Sequence, residues 1–541
     1  MADIKRDLGS PFDPTDPIEL AEFEGFGTDV PNTRGLIAAA QTTPAPRRPA
    51  LLDPTLATAT RVRAANLFSE DFLAKLALVT GDDDFPTPDP VAPDAYFFRS
   101  GRARTVDIFP PGDVAAVDDV RVWSFEGFNG FPPENGEEPE ETLGMWPAPT
   151  IRVREGAVVH NLMSNSHGVH TIHHHGIEPT PVNDGVGHLT MEVGGDDGAL
   201  QDPGGAGGTY HYQWKAKEAG TYFYHCHRNT VLHFELGMYG LLIVDPPEPQ
   251  NQGSAEFIQA PYPDFGPGYT LVGDAPTRYD VETFWVVDDI DVRWHGFGGH
   301  HLHRSAGIPD PGVDTDGNPL FMGINDGDNP RLHDFLRGKI TGEGPEDFFV
   351  VTGVTIADGR NGTEHGVIDN PIDPAEDDPF DSARIKENDM LLALYNKVRP
   401  IVEPGQKLLI RAINASYCTT VWRFPTSVDG TVTAVDARTL GRSGFNQYSE
   451  SFRLSDLPLV AGYRQFTLTT AQRWDILIDD IDPLDGVEVT EDVVSEVDGT
   501  RETRTFRNHD VVVEFRHWIN DEGRLLQTAY LPIRVPVLQS V

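Results

Sequence analysis

Short alternating runs, each closed by Gly, Pro or Asp, fill the chain from about Thr105 onward, and they admit little besides antiparallel β structure. Ile151-Arg152-Val153-Arg154 runs into the turn Glu155-Gly156, and Ala157-Val158-Val159-His160-Asn161-Leu162 runs out of it. Thr209-Tyr210-His211-Tyr212-Gln213-Trp214, Gly220-Thr221-Tyr222-Phe223-Tyr224 and Gly240-Leu241-Leu242-Ile243-Val244 follow the same habit. None of these runs carries a sustained 3.6-residue period. The expectation is an all-β chain of two Greek-key sandwich or barrel domains.

The organisation follows from composition. Residues 1–104 are rich in Pro and Asp and read as an irregular arm, with one short helix near Ser69–Leu76, lying on the rest of the protein or serving assembly. Residues 105–247 form the first β-domain. The Pro-rich segment from Asp245 to Ser254 opens a linker that spans 248–275. Residues 276–541 form a second β-domain, with strands around Phe284–Val287, Leu408–Ile413, Phe466–Thr469, Trp474–Ile478 and Val511–Phe515. The Gly-, Asp- and Pro-crowded stretch 297–380 reads as a long insertion in it.

Charge narrows the partners. The 541 residues include 84 acidic and 42 basic side chains, a formal net charge of -42 that excludes nucleic acid as a ligand. Whether this acidity is only a solvated surface or also attracts cationic substrates or metal ions is left open by charge alone. Two cysteines, Cys226 and Cys418, are too few for a disulfide framework. No run reaches the roughly 18 apolar residues of a membrane span, and the start of the chain has no apolar export segment, so the expectation is a cytoplasmic protein without a membrane span.

Two stretches carry most of the chemical information. One is His170-Thr171-Ile172-His173-His174-His175-Gly176; the other runs from Tyr224-His225-Cys226-His227 to His233-Phe234-Glu235-Leu236-Gly237-Met238. A blue-copper centre needs two imidazoles and one thiolate in a trigonal plane with a weak axial thioether. Cys226, His233 and Met238 supply three of these around one loop, and His170 is placed to supply the second imidazole from a neighbouring strand. The bland alternative, a buried cysteine among core histidines, does not account for so many imidazoles at these spacings.

At these residues the chain resembles the multicopper oxidases (laccases, ascorbate oxidase, ceruloplasmin), two-domain and laccase-like in its cupredoxin-type architecture, and the related copper nitrite reductases. His170, His173, His175 and Gly176 look like the family's HxxHxHG motif, and His225-Cys226-His227 like its HCH motif. Gly237–Asp245 resembles its closing strand, and, more weakly, Pro404–Ser416 resembles a strand of a second cupredoxin domain. The resemblance implies type 1 copper on His170, Cys226, His233 and Met238. It implies type 2 copper on His173, and a type 3 pair on His175, His225 and His227. It further implies an oxidoreductase that draws single electrons from a phenol, an aminophenol or a metal ion and passes them through Cys226 to reduce dioxygen.

The pattern departs from the family in two places. Five residues separate His227 from His233, where the laccase-type motif has three. More seriously, the second domain reads Tyr417-Cys418-Thr419-Thr420-Val421-Trp422-Arg423-Phe424 where copper-binding domains present further His-x-His pairs. A trinuclear centre in this family uses eight histidines, and this chain offers His173, His175, His225 and His227. Either two copies of the first domain pool their ligands in a homo-oligomer, or a single type 2 copper is completed by a neighbouring subunit, with Gly298-Gly299-His300-His301-Leu302-His303 as a source of the extra ligand or merely a polar loop.

Nitrite-reductase-like catalysis and non-catalytic electron transfer are the competing functions. His227 beside Cys226 speaks against the first, and the surplus histidines against the second. Asn183-Asp184-Gly185 resembles the Asp-Gly segment that aids proton delivery in this family, which makes Asp184 a candidate proton donor, though an Asp-Gly turn explains it equally. Glu235 is a candidate substrate-docking carboxylate at a solvent-exposed edge of His233, or an ordinary surface residue. Asp314-Thr315-Asp316-Gly317-Asn318 begins like a calcium loop but lacks the closing glutamate.

Overall fold

The computed structural model describes residues 94–108, 117–129, 147–165, 169–179, 183–186, 193–194, 209–227, 230–247, 267–291, 295, 347–352, 354–355, 367–368, 398–442, 448–494, 501–516, 523 and 525–537. The helix expected at Ser69–Leu76, the histidines at 300–303 and the Asp314–Asn318 segment lie outside them. The architecture is all-β, and the described elements include one α-helix, Thr230–Glu235. Among the described residues no helix is long and apolar enough to cross a membrane.

Two sheets build the copper-motif region. The first takes Ala95–Ile108 as its hub, parallel to Val158–Asn165 on one side and antiparallel to Val117–Asn129 and Val367–Ile368. Its first strand begins ten residues before the expected start at 105, because Ala95, Tyr96 and Phe97 bury their side chains and belong to the sheet rather than to an arm. The second sheet runs Ala148–Arg154, Tyr239–Asp245, Gly220–His225, His173–His175 in spatial order.

That second sheet is buried on both faces, which is why its strands read as nearly continuous apolar runs. In Gly220–His225, Tyr222 and Tyr224 enter a core with Trp123, Trp214, Cys226 and Met238. Phe223 points the other way, into a core with Phe284, Trp285, Ile410 and Ile476. Tyr239–Asp245 divides in the same manner, with Leu242 and Val244 to one side and Leu241 and Ile243 to the other. The two-residue period of a strand thus turns one sheet into a shared wall.

Behind the wall stands a second pair of sheets, of eight and six strands. Val281–Asp291, Leu408–Asn414 and Arg473–Ile481 line the junction from that side. A buried charge lattice crosses it. Arg152 holds Asp245 and, at 2.7 Å, Glu282; Arg411 holds Glu282 at 2.6 Å and Asp475 at 3.1 Å, and donates to Thr221 Oγ1 at 2.8 Å. Burial alone would raise the Glu282 carboxyl, but the guanidiniums of Arg152 and Arg411 hold it down at about 2.

Candidate metal centres

The shared wall decides which side chain goes where. His173–His175 pairs antiparallel with Gly220–His225, His173 opposite His225 and His175 opposite Phe223. Alternation sends His173 and His175 to the side of Phe223 and His225, and His174 to the other. There His174 Nε2 accepts from Asn161 Nδ2 at 3.1 Å and its ring packs on Trp214, so it is a structural residue. Cys226 follows His225 directly and drops its thiol into the core on the opposite face.

The thiol meets two imidazoles there. His233 Nδ1 stands 3.0 Å and His170 Nδ1 3.6 Å from Cys226 Sγ, and the two nitrogens converge to 3.1 Å. Two imidazole nitrogens each about 2 Å from one ion at a near-tetrahedral angle lie about 3.3 Å apart, so this spacing suits a shared metal. All three ligands are buried, and Met238 is buried in the same core. Met238 N donates to the His233 carbonyl, and Cys226 N to the Met238 carbonyl, both at 3.0 Å, so one knot of backbone ties the loop-borne ligands together. The backbone N–H of Thr171 points at the sulfur from 3.5 Å. The long separation of His227 from His233 is taken up by the single helical turn Thr230–Glu235. Dry and thiol-containing, with a soft thioether in the same core, this donor set suits copper.

A second set gathers on the other face. His173, His175 and His225 bring one ring nitrogen each within 4.8 Å of the others. His175 Nδ1 faces His225 Nε2 at 3.2 Å. His225 Nδ1–H donates to the Cys226 carbonyl at 2.9 Å and His173 Nδ1–H to the Asp184 carbonyl at 2.6 Å, which frees Nε2 of each ring for a metal. The His227 ring lies 5.0 Å from that of His173 and 5.7 Å from that of His225, while its backbone N–H is fixed by Thr171 Oγ1. Burial lowers the pKa of His173, His225 and His227, and lowers His175 to about 2 with help from the nearby Arg473 cation, so the imidazoles are neutral and able to ligate. These donors also fit copper.

Asp184 lies beside this set, with Oδ1 3.6 Å from His173 Nδ1, and burial raises its carboxyl. Gly185 makes that approach possible: its φ is +78°, and a Cβ there would stand 1.9 Å from the Ile172 carbonyl oxygen.

The expectation for Glu235 is overturned. Glu235 is only 2% exposed and His233 is fully buried, so neither forms an open docking edge. The helix turns the carboxylate inward, 3.7 Å from Nε2 of His295, which lies four residues past the strand Val281–Asp291. Glu235 is not a substrate-docking residue. Cys226 and Cys418 are both free and buried.

Two neighbours escaped the sequence reading. Trp123 packs edge-on against both His170 and His233, at 5.5 and 4.9 Å between centroids. Alternation in Val120-Arg121-Val122-Trp123-Ser124-Phe125 marks its strand, but nothing local marks its partner. Arg473 arrives from some 300 residues downstream without any motif.

A family model described as multicopper oxidase matches residues 141–249, the stretch that holds every ligand named above. Residues 141–249 are thus similar to a multicopper oxidase domain. L-ascorbate oxidase of Cucumis sativus is 36% identical over 115 residues, 20% of this chain and 17% of that protein. Copper resistance protein A of Pseudomonas syringae pv. tomato is 36% identical over 108 residues, 20% of this chain and 16% of its own length. The matched stretch thus spans about a sixth of these curated relatives. Among solved structures, the multicopper oxidase mgLAC aligns at 16% identity and TM-score 0.38, covering 81% of this chain and 86% of that one. A blue copper oxidase from Nitrosomonas europaea aligns at 15% identity and TM-score 0.38, covering 81% and 85%.

Proposed function

We propose that this chain is a copper-dependent oxidase that takes single electrons from an electron-rich substrate, a phenol, an aminophenol or a metal ion, and passes them to dioxygen. One observation carries the reading. Cys226 offers its sulfur to one ligand set, while the residues on either side of it, His225 and His227, turn their rings to the other. The hydrogen bond from His225 Nδ1 to the Cys226 carbonyl adds a second short link between the same two sets. Copper in the two sites supplies the one-electron chemistry that the side chains lack. The protein keeps the sulfur dry, orients the rings, and holds a proton at Asp184 beside His173 for the oxygen-reducing side.

The multicopper oxidase domain brings half of the eight-histidine set. In the second domain Trp422 and Phe424 fill the core along Thr419–Pro425 rather than offering ligands. A second copy of the chain completing the cluster accounts for this shortage.

Replacing the sulfur tests the reading. Cys226→Ser should abolish the intense thiolate-to-copper colour, lower the copper content by one ion per chain and reduce oxygen uptake with phenolic reductants at least 100-fold. Retained colour and turnover would overturn it. Sedimentation of the copper-loaded wild type tests the shared cluster, which a fully loaded monomer contradicts.

A further inference from the structure

Arg473 opens the strand Arg473–Ile481 of the second domain, yet its side chain ends inside the multicopper oxidase domain. It is buried, and its contacts converge on one strand. Nε donates to the Thr221 carbonyl at 3.3 Å, and two residues along, on the same side, the guanidinium carbon lies 5.5 Å from the centroid of the Phe223 ring. Nη1 is held by the Ala471 carbonyl at 2.5 Å, and the backbone N–H of Arg473 by Asp436 Oδ1 at 3.0 Å. The cation is thus fixed from its own domain and pressed on the neighbouring one.

The ring it presses on is the one that orients the second metal centre. Phe223 stacks on His175 at 4.6 Å and 21°, and on His225 at 5.1 Å and 29°. These are the two imidazoles whose nitrogens converge to 3.2 Å. Gly176, the residue after His175, marks the closeness of the fit. A Cβ there would stand 3.1 Å from Arg473 Nη2 and 3.2 Å from Tyr222 Cδ1.

We infer that Arg473 is a positioning residue for the second copper centre, acting through Phe223 to hold His175 and His225 in ligating orientation. A cation over an aromatic face is favoured most where both are desolvated, as here. The flat guanidinium also fits a ring and a carbonyl together in a way an ammonium does not. The copper-free domain behind the wall therefore takes part in the metal chemistry without supplying a ligand.

The inference rests on the reading that His175 and His225 bind copper. The experiment is Arg473→Met in the full chain, with copper titrated against a competing chelator and the thiolate-to-copper absorption followed in parallel. Partners of this kind commonly change metal affinity 10–100-fold. The expected result is weakening in that range at the second centre with the Cys226 colour unchanged, and partial recovery in Arg473→Lys. Phe223→Leu should give a similar loss, and the double variant no further loss, because both act through one ring.

Unchanged affinity at the second centre in Arg473→Met, or fully additive losses in the double variant, overturns the inference. So does equal loss at both centres, which signals general loosening. If Arg473→Met does not fold, Phe223→Leu against Phe223→Leu/Arg473→Lys decides by the same additivity. A wild type that takes up no copper beyond the Cys226 site sinks the underlying reading instead.

Discussion

Replacing Glu282 by Gln removes one charge from the lattice that joins the two domains while nearly preserving shape. The carboxylate touches Arg152 at 2.7 Å and Arg411 at 2.6 Å, and no water reaches it. Its pKa falls from 4.5 to about 2, a displacement equivalent to about 3 kcal/mol in favour of the folded state. Breaking a buried pair by deleting one partner costs about 3–5 kcal/mol, so two independent routes agree on size. Because the folded pKa lies below the unfolded one, this contribution is present above about 4.5 and is lost as pH falls toward 2. By about pH 3 more than half of it is gone. Burial raises Asp475 and so gives the opposite sign; the Glu282 charge adds to that rise, so its removal relieves Asp475 and narrows the gap somewhat. Urea unfolding of copper-free wild type and Glu282→Gln at about pH 7 should therefore differ by about 3 kcal/mol, and the gap should shrink at about pH 3. A gap below about 1 kcal/mol at neutral pH, or one that survives acidification intact, would refute the lattice as the joint between the domains.

Asp184→Asn should keep full copper loading, because the Asp184 carbonyl rather than its carboxylate holds His173, while oxygen uptake falls about 100-fold or more; copper loss in that variant would show the carboxylate to be structural. His160, only 3% exposed, is lowered to about 4 by burial, so the unfolded chain takes up its proton first and stability drops as pH falls from about 6.5 to about 4. His160→Gln should lessen the slope of that limb in the copper-free protein by one group's share, the buried His173, His175, His225 and His227 supplying the same sign, and an unchanged slope would exclude His160 as a contributor.

Much of the site was legible because its ligands are local in sequence. Cys226, His225 and His227 are neighbours, and a strand's two-residue period dictates that a thiol and the ring before it face opposite ways. His174 was separable from His173 and His175 by the same rule. The strands were legible as short runs closed by Gly, Pro or Asp, although reading them as alternating hid the two-sided burial of Gly220–His225 and Tyr239–Asp245, by which one sheet serves two cores. What local pattern cannot carry is the far side of a contact. Glu235 read as a docking carboxylate because it lies between His233 and Met238, yet it is buried and meets His295, sixty residues on. Trp123 and Arg473 carry no motif at all, since their partners are set by how sheets stack.

The second domain makes most sense from its contacts with the first. Trp422 and Phe424 are core residues, so that domain has no stake in ligation along Thr419–Pro425. It nevertheless touches the metal-bearing region at three points. Asp288 accepts from Tyr239, the residue after Met238, at 2.6 Å; His295 meets Glu235, two residues after His233; Arg473 grips Thr221 and Phe223, just before His225. Ligands on loops lose affinity to conformational freedom, and each of these contacts removes some of that freedom before a metal arrives. Strands that supply such supports act on metal affinity by limiting the freedom of the ligand-bearing segments, and the buried charge lattice fixes those strands against the ligand-bearing sheet.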